Sequence, residues 1–140
     1  MTPEQIVVML AEARSYVAQS VRFRHQGRSR NGVDCAGLVY VSLSAAGRPP
    51  IDMPAYGREP LGGRLSAHLA MNFESIDKAD IQPGDIVLMR FQGEPCHLAI
   101  LGDYLYGGLS LIHAYAMVKK CIEHRLDAEW TSYIVEAFRP

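Results

Sequence analysis

Three cysteines and five histidines carry the nucleophilic and proton-transfer chemistry available to this chain. Cys35 lies in the stretch NGVDCAGLVY, Asn31–Tyr40, directly after an aspartate and where a glycine-containing loop gives way to an apolar run. A thiol is a weak nucleophile at neutral pH because its reference pKa is about 8.5; a helix N-terminus and a nearby imidazolium both favour the thiolate. Asp34 is a good N-cap residue, so Cys35 falls in the first turn of a helix. The amides of that turn form an anion site that can serve as part of an oxyanion hole.

The base must come from His25, His68, His97, His113 or His124, and two of these stand out by register. CHLAIL and LSLIHAY read as strands joined through the GDYLYGG turn. A regular hairpin centred on Leu105 puts His97 directly opposite His113, with Cβ atoms about 4.5–5.5 Å apart. One ring then orients the other and fixes its tautomer. The register assumes no bulge, since one extra residue turns one ring to the other face. A cysteine and two distant histidines equally fit a packed thiol and two hydrogen-bonded sheet residues. Cys35, Cys96, His97 and His113 are also zinc-ligating types, but they lack a paired short spacing, and neighbours on a strand point to opposite faces. Cys96 and Cys121 read as small core fillers, His68 and His124 as surface residues, and His25 as loop surface or cleft rim.

The elements that must position these groups follow from the pattern around them. Thr2-Pro3-Glu4-Gln5 is a helix start with a capping box, and Ile6, Met9, Leu10, Ala13, Tyr16 and Val17 continue it at helical spacing to about residue 20. RFRHQGRSRNG has no clear period and reads as a loop whose Arg24, Arg28 and Arg30 are solvated. A second helix runs from the Asp34 cap through Leu38, Val39, Val41 and Leu43, until Gly47, Pro49 and Pro50 stop it. Residues 51 to 80 carry the weakest pattern, with room for a short helix after Gly63. From Gln82 the chain changes character: QPGD turns, and IVLMRF, CHLAIL, LSLIHAY, KKCIEHRL and SYIVEAF follow as short strands. Helices first and strands after predict an α+β fold with a mostly antiparallel sheet.

At 140 residues the chain suggests a single domain over 1–140, long enough to bury a core without disulfides. The odd cysteine count does not make a disulfide framework. A net charge of -1 leaves no broad basic field for nucleic acid or a membrane surface. No apolar run approaches the roughly 18 residues of a membrane span, and MTPEQIVVMLAEARSYV lacks the pattern of a secretory signal.

GVDCAGLV resembles the nucleophile motif of the NlpC-type cell-wall cysteine peptidases, a papain-like family whose usual form is Asp-Cys-Ser-Gly. IQPGDIVLMR resembles the Pro-Gly-Asp strand ahead of the family's histidine, CHLAILG its His-Val-Gly-Ile strand, and LIHAY the following His-Ala strand. These stretches run in family order over roughly residues 15 to 118. FRHQGRSRNGVDCAGLV is most similar to the compact branch found in phage tails and phage-like gene transfer agents.

The resemblance implies a papain-like fold, with the nucleophile at a helix N-terminus packed on a five- to six-stranded sheet. It implies Cys35 as nucleophile, His97 as general base and His113 as the polar residue orienting His97. Asp34 matches a residue that holds the free amine of a stem peptide. Phe23 stands where many members carry a substrate-binding tyrosine, and His25 with Gln26 where Trp-Gly is frequent, which makes both candidates for substrate binding. No metal or cofactor is implied. The substrate would be a peptidoglycan stem peptide, cut between D-glutamate and the diamino acid or, as in some members, at the muramoyl-L-alanine linkage. Ala36 replaces the usual serine, which leaves the bond cleaved open. A non-catalytic, peptidoglycan-binding component of a phage-tail-like particle is the alternative; a related acyltransferase or deamidase is another. In the phage-like branch the protein would be made in the cytoplasm without a signal peptide, built into a particle and delivered to the cell wall.

Overall fold

The computed structural model describes residues 1–57 and 63–140. In chain order the elements are α1 (Pro3–Ala18), β1 (Arg28–Ser29), β2 (Gly32–Val33), α2 (Cys35–Ala45), α3 (Arg64–Asn72), β3 (Glu74–Ile76), a 3-10 turn (Lys78–Asp80), β4 (Ile86–Met89), β5 (His97–Asp103), β6 (Leu109–Tyr115), β7 (Lys120–Arg125), α4 (Ala128–Tyr133) and β8 (Ile134–Arg139). The α+β class, the early helices and the antiparallel sheet agree with the expectation. Six strands pair antiparallel in the order β3-β8-β4-β5-β6-β7.

Local chemistry accounts for the helix starts. Thr2 Oγ1 accepts from Gln5 N at 3.1 Å while Thr2 N donates to Gln5 Oε1 at 2.9 Å, closing the capping box. Asp34 Oδ1 accepts from Gly37 N at 2.8 Å and caps α2. α1 turns Met9, Leu10, Ala13 and Tyr16 inward, and α2 buries Leu38, Val39 and Leu43. Together they cover the sheet face made by Ile86, Leu88, Leu98, Ile100, Ile112 and Phe138. The opposite face carries a second core of Val87, Met89, Ala99, Leu101, Leu111 and Ala137, packed under Trp130 and Tyr133 of the α4 segment. Strand alternation therefore feeds two apolar layers, which is why β4 is buried along its whole length.

Four details depart from the sequence reading. α1 ends at Ala18 rather than about residue 20. The basic loop holds a small hairpin, in which Arg28 pairs with Val33 and Ser29 with Gly32. Ser132 and Tyr133 end a short helix capped by Asp127, so the last strand starts only at Ile134. The β5–β6 hairpin pairs Ile100 with Ile112, which centres it on Tyr106 instead of Leu105. Gly107 and Gly108, both at positive φ, supply the turn backbone that moves the centre by one residue. No helix among the described residues is long and apolar enough to cross a membrane.

Candidate active site

α2 brings Cys35 to the site, and Gly37 decides how closely. A Cβ at Gly37 would lie 2.1 Å from Gly27 O and 2.9 Å from Arg28 Nη1. Only glycine lets the first turn of α2 seat on the segment leading into β1. Behind it sits Asp34, 4% exposed. Its Oδ1 accepts from Gly37 N and from Arg28 Nη1, both at 2.8 Å. Its Oδ2 accepts from Gln26 N at 2.8 Å and from the Tyr56 hydroxyl. Arg28 also reaches Asp52 Oδ2 at 3.0 Å, so it is an internal tie and not the solvated arginine expected of a loop.

Four donors occupy the Asp34 carboxylate, and the amine-holding role implied by the resemblance would have to displace one of them. The group is first a structural hub. Asp34→Ala removes the cap and strands the half-buried Arg28 and two amides. It is expected to cost about 3 kcal/mol, with Asp34→Asn losing less because one acceptor oxygen remains. Urea denaturation at pH 7 reads both. A loss below about 1 kcal/mol in the alanine variant would contradict the hub role.

The cleft in front of Cys35 is lined by Phe23, His25, Met53, Tyr56, Arg64, Leu65 and Cys96, with Asp34 and Ala36 behind. His25 Nε2 lies 3.0 Å from the Tyr56 carbonyl oxygen, to which it donates. Its ring meets the Tyr56 ring edge-on at 5.3 Å between centroids, so it stiffens the cleft wall. Cys96, read as a core filler, is exposed on this cleft, whereas Cys121 is buried.

The Cys35 thiol is half-buried and donates to the Cys96 carbonyl oxygen at 3.9 Å. The sulfur also meets the Leu98 and Ala36 amides. It therefore touches the backbone on both sides of His97, while among the described residues its hydrogen bond goes to Cys96 rather than to the His97 ring. Burial, followed by the charge of Asp34, pushes the thiol pKa up to about 12, against the opposing pull of the two amides. The sequence argument from the helix N-terminus favoured the thiolate; here burial and the charge of Asp34 outweigh the pull of the Leu98 and Ala36 amides.

His97 opens β5 and is 7% exposed, and His113 in β6 is fully buried. His97 Nε2 lies 2.6 Å from His113 Nδ1. The two rings do not sit in the directly opposed register expected, because the observed pairing of Ile100 with Ile112, extended past its end, would set His113 against Ala99. A two-residue slip keeps both rings on one face. Burial, then the charge of His124, pushes His97 down to about 4. Burial, then His97 and His124, pushes His113 down to about 2. Both rings are neutral at neutral pH, so the resting pair is a thiol and an imidazole.

Sequence reasoning missed the third ring. His124 of β7, read as a surface residue, puts its Nε2 2.8 Å from His113 Nε2. β6 and β7 pair Leu111 with His124 and His113 with Ile122, so His124 shares the face of His113. Trp130 of α4 covers the group, with its ring centroid 4.7 Å from His124 and 5.3 Å from His113. The parity of KKCIEHRL across the turn from LSLIHAY could have exposed this, had its four-residue turn been recognised. Among the described residues no cluster of three histidine, cysteine, aspartate or glutamate side chains is arranged to hold a metal ion.

Comparisons with known proteins bear on this geometry. No curated protein matches the chain by sequence. A lipoprotein-like NLP/P60 family protein from Staphylococcus aureus is similar in structure, with TM-score 0.72 and 20% identity over 99% of this chain and 42% of its own. The NlpC/p60 domain of the peptidoglycan hydrolase SagA is similar with TM-score 0.67 and 20% identity, over 96% of this chain and 98% of that one. The peptidoglycan hydrolase RipB from Mycobacterium tuberculosis gives TM-score 0.67 and 17% identity, over 97% of this chain and 64% of that one. At these identities the likeness is one of fold, and this chain spans less than half of the staphylococcal protein. The model of the NlpC/P60 family matches residues 20–139, from the strand segment before the cleft to the end of β8, and on that match the chain belongs to the NlpC/P60 family.

Proposed function

We propose that this protein is a cell-wall hydrolase that cuts an amide bond of the peptidoglycan stem peptide by a Cys-His-His thiol mechanism. The observation that carries the reading is the 2.6 Å contact between His97 Nε2 and His113 Nδ1, beside a helix-N-terminal cysteine whose sulfur lies against the backbone flanking His97. Similar structures include proteins described as peptidoglycan hydrolases and one described as an N-acetylmuramoyl-L-alanine amidase from Bacteroides uniformis. The bond we assign is the D-γ-glutamyl–diamino acid amide.

In this reading His97 Nδ1, the ring nitrogen not engaged by His113, takes the proton of the Cys35 thiol as the sulfur attacks the carbonyl carbon. The Cys35 backbone amide at the start of α2 stabilises the oxyanion. His97 then hands the proton to the departing amine, and a water activated by the same ring hydrolyses the thioester. Because the resting pair is neutral, proton transfer accompanies attack instead of preceding it. Phe23 and His25 on the cleft wall would contact the peptide. The likeness of the Phe23–Val39 segment to phage-tail and gene-transfer-agent proteins supports delivery in a phage-like particle made in the cytoplasm.

A second reading has its own observation. The thiol's hydrogen bond to Cys96 instead of to His97 suits a protein that binds stem peptides in a particle without cutting them. Incubation with defined muropeptides, followed by mass analysis, separates the two. The hydrolase reading expects products split between glutamate and the diamino acid. Intact substrate, with saturable binding, would favour the second.

A further inference from the structure

We infer that His124 is a positioning residue that sets, through His113, which nitrogen of His97 is free to accept a proton. The inference deepens the hydrolase reading and rests on it for its catalytic consequence, but the proton arrangement itself stands on the geometry alone.

The argument starts from a carbonyl. His124 Nδ1 lies 3.0 Å from the Arg125 carbonyl oxygen. A carbonyl only accepts, so His124 Nδ1 carries the hydrogen. The other nitrogen of a neutral His124 is then a bare acceptor. It faces His113 Nε2 at 2.8 Å, so His113 must donate from Nε2 and leave its own Nδ1 bare. That nitrogen faces His97 Nε2 at 2.6 Å, so His97 donates from Nε2. With one hydrogen on each ring, each step follows from the one before, and the last leaves the lone pair of His97 on Nδ1, the nitrogen that the proposed mechanism uses as base. The opposite tautomer of His97, carried along the chain, would set a bare His124 Nδ1 against the Arg125 carbonyl oxygen.

The surroundings hold this order in place. Trp130 of α4 lies over His113 and His124, and Tyr115 of β6 lies beside His97 and His113. Among the described residues the hydrogen bonds of the three rings run to one another and to the Arg125 carbonyl, which sets the direction. Here a backbone oxygen sets the direction at two removes from His97. Neutral His97 and His113 suit this buried site, because no buried charge has to be compensated there.

The test combines His124→Phe, which fills the site beneath Trp130 but cannot accept, with His124→Gln, whose side-chain oxygen can replace Nε2. Imidazole nitrogen-15 shifts distinguish protonated from bare ring nitrogens. In the native protein they are expected to report Nε2–H on His97, Nε2–H on His113 and Nδ1–H on His124. In His124→Phe the His97 and His113 signals are expected to show mixed tautomers, and His124→Gln to restore the native pattern. On muropeptides, His124→Phe is expected to lower kcat by about tenfold or more with KM within about twofold, and His124→Gln to recover most of it. A native His97 bearing its hydrogen on Nδ1, or unchanged His97 tautomer in a folded His124→Phe protein, would overturn the inference. Because the shifts need no turnover, a native protein that cleaves nothing yet shows the expected tautomers would retire the hydrolase reading and leave the proton order standing.

Discussion

Replacing Cys35 with alanine is expected to abolish stem-peptide cleavage, on the order of 10⁴-fold or more, while leaving the fold intact. The two halves of that result have separate causes. The thiol is half-buried, and the hydrogen bond it donates to the Cys96 carbonyl, at 3.9 Å, is long. Losing it removes about 1 kcal/mol, which shifts the melting temperature by a few degrees. The α2 cap comes from Asp34 and does not change. Chemically, among the described residues of the cleft the other thiol is Cys96. Cys96 is exposed on the same wall, but it stands just before β5 and not at a helix N-terminus. Muropeptide binding should survive in the alanine variant within a few-fold, so calorimetry separates lost chemistry from lost recognition. Retained cleavage would sink the nucleophile assignment. Cys35→Ser should be equally inactive, because an alcohol in the same buried position is harder still to deprotonate.

The neutral resting pair gives the assignment a second, independent signature. With the thiol pushed up to about 12, alkylation by iodoacetamide should accelerate steadily from pH 7 to pH 10. A preformed thiolate–imidazolium pair would instead label fast and independently of pH near pH 6.

Some of this architecture is legible in the chain and some is not, and the division is physical. The Thr2 box and the Asp34 cap are local, so four residues suffice to read them. The pairing of His97 with His113 is readable because strand alternation has a period of two. An error of one residue in the hairpin centre, from Leu105 to Tyr106, moves the register by two and preserves the face. What escapes is set by contacts between distant segments. Arg28 looks solvated in sequence because its partners, Asp34, Asp52 and Tyr56, come from three different stretches. Trp130 covers the rings only because Asp127 caps a six-residue helix too short to show a period. Asp34 was legible as a cap but not as a saturated carboxylate, since its donors belong to the loop and to Tyr56.

Acidification from pH 7 to pH 4 is expected to destabilise the protein by on the order of several kcal/mol, and the same buried rings are the cause. His97 and His113 are held neutral, at about 4 and about 2, chiefly because burial penalises the imidazolium. In the unfolded chain both titrate at about 6.5. Below that pH the unfolded state binds protons that the native state refuses, so stability rises with pH and falls on acidification. The contribution is complete above about pH 6.5 to 7. His97 gives up its share by about pH 4, which at about 1.4 kcal/mol per unit is roughly 3 kcal/mol, and His113 continues to lose below that. Native stabilities of about 5–15 kcal/mol leave little margin against such a loss. Urea midpoints at pH 7, 5.5 and 4 should therefore fall, with a slope of about one proton or more taken up on unfolding near pH 5. The ring Cε1–H resonances of His97 and His113 should meanwhile stay at neutral-imidazole positions in the folded protein. Titration of either ring near 6.5 in the native state, or a flat midpoint, would contradict this. The consequence for the proposed activity is specific. A base that stays neutral until about pH 4 keeps its lone pair through mild acid. The acid limb of the rate profile should then coincide with loss of the fold and not precede it, because the desolvation that keeps His97 neutral through mild acid also couples its uptake of a proton from solvent to unfolding.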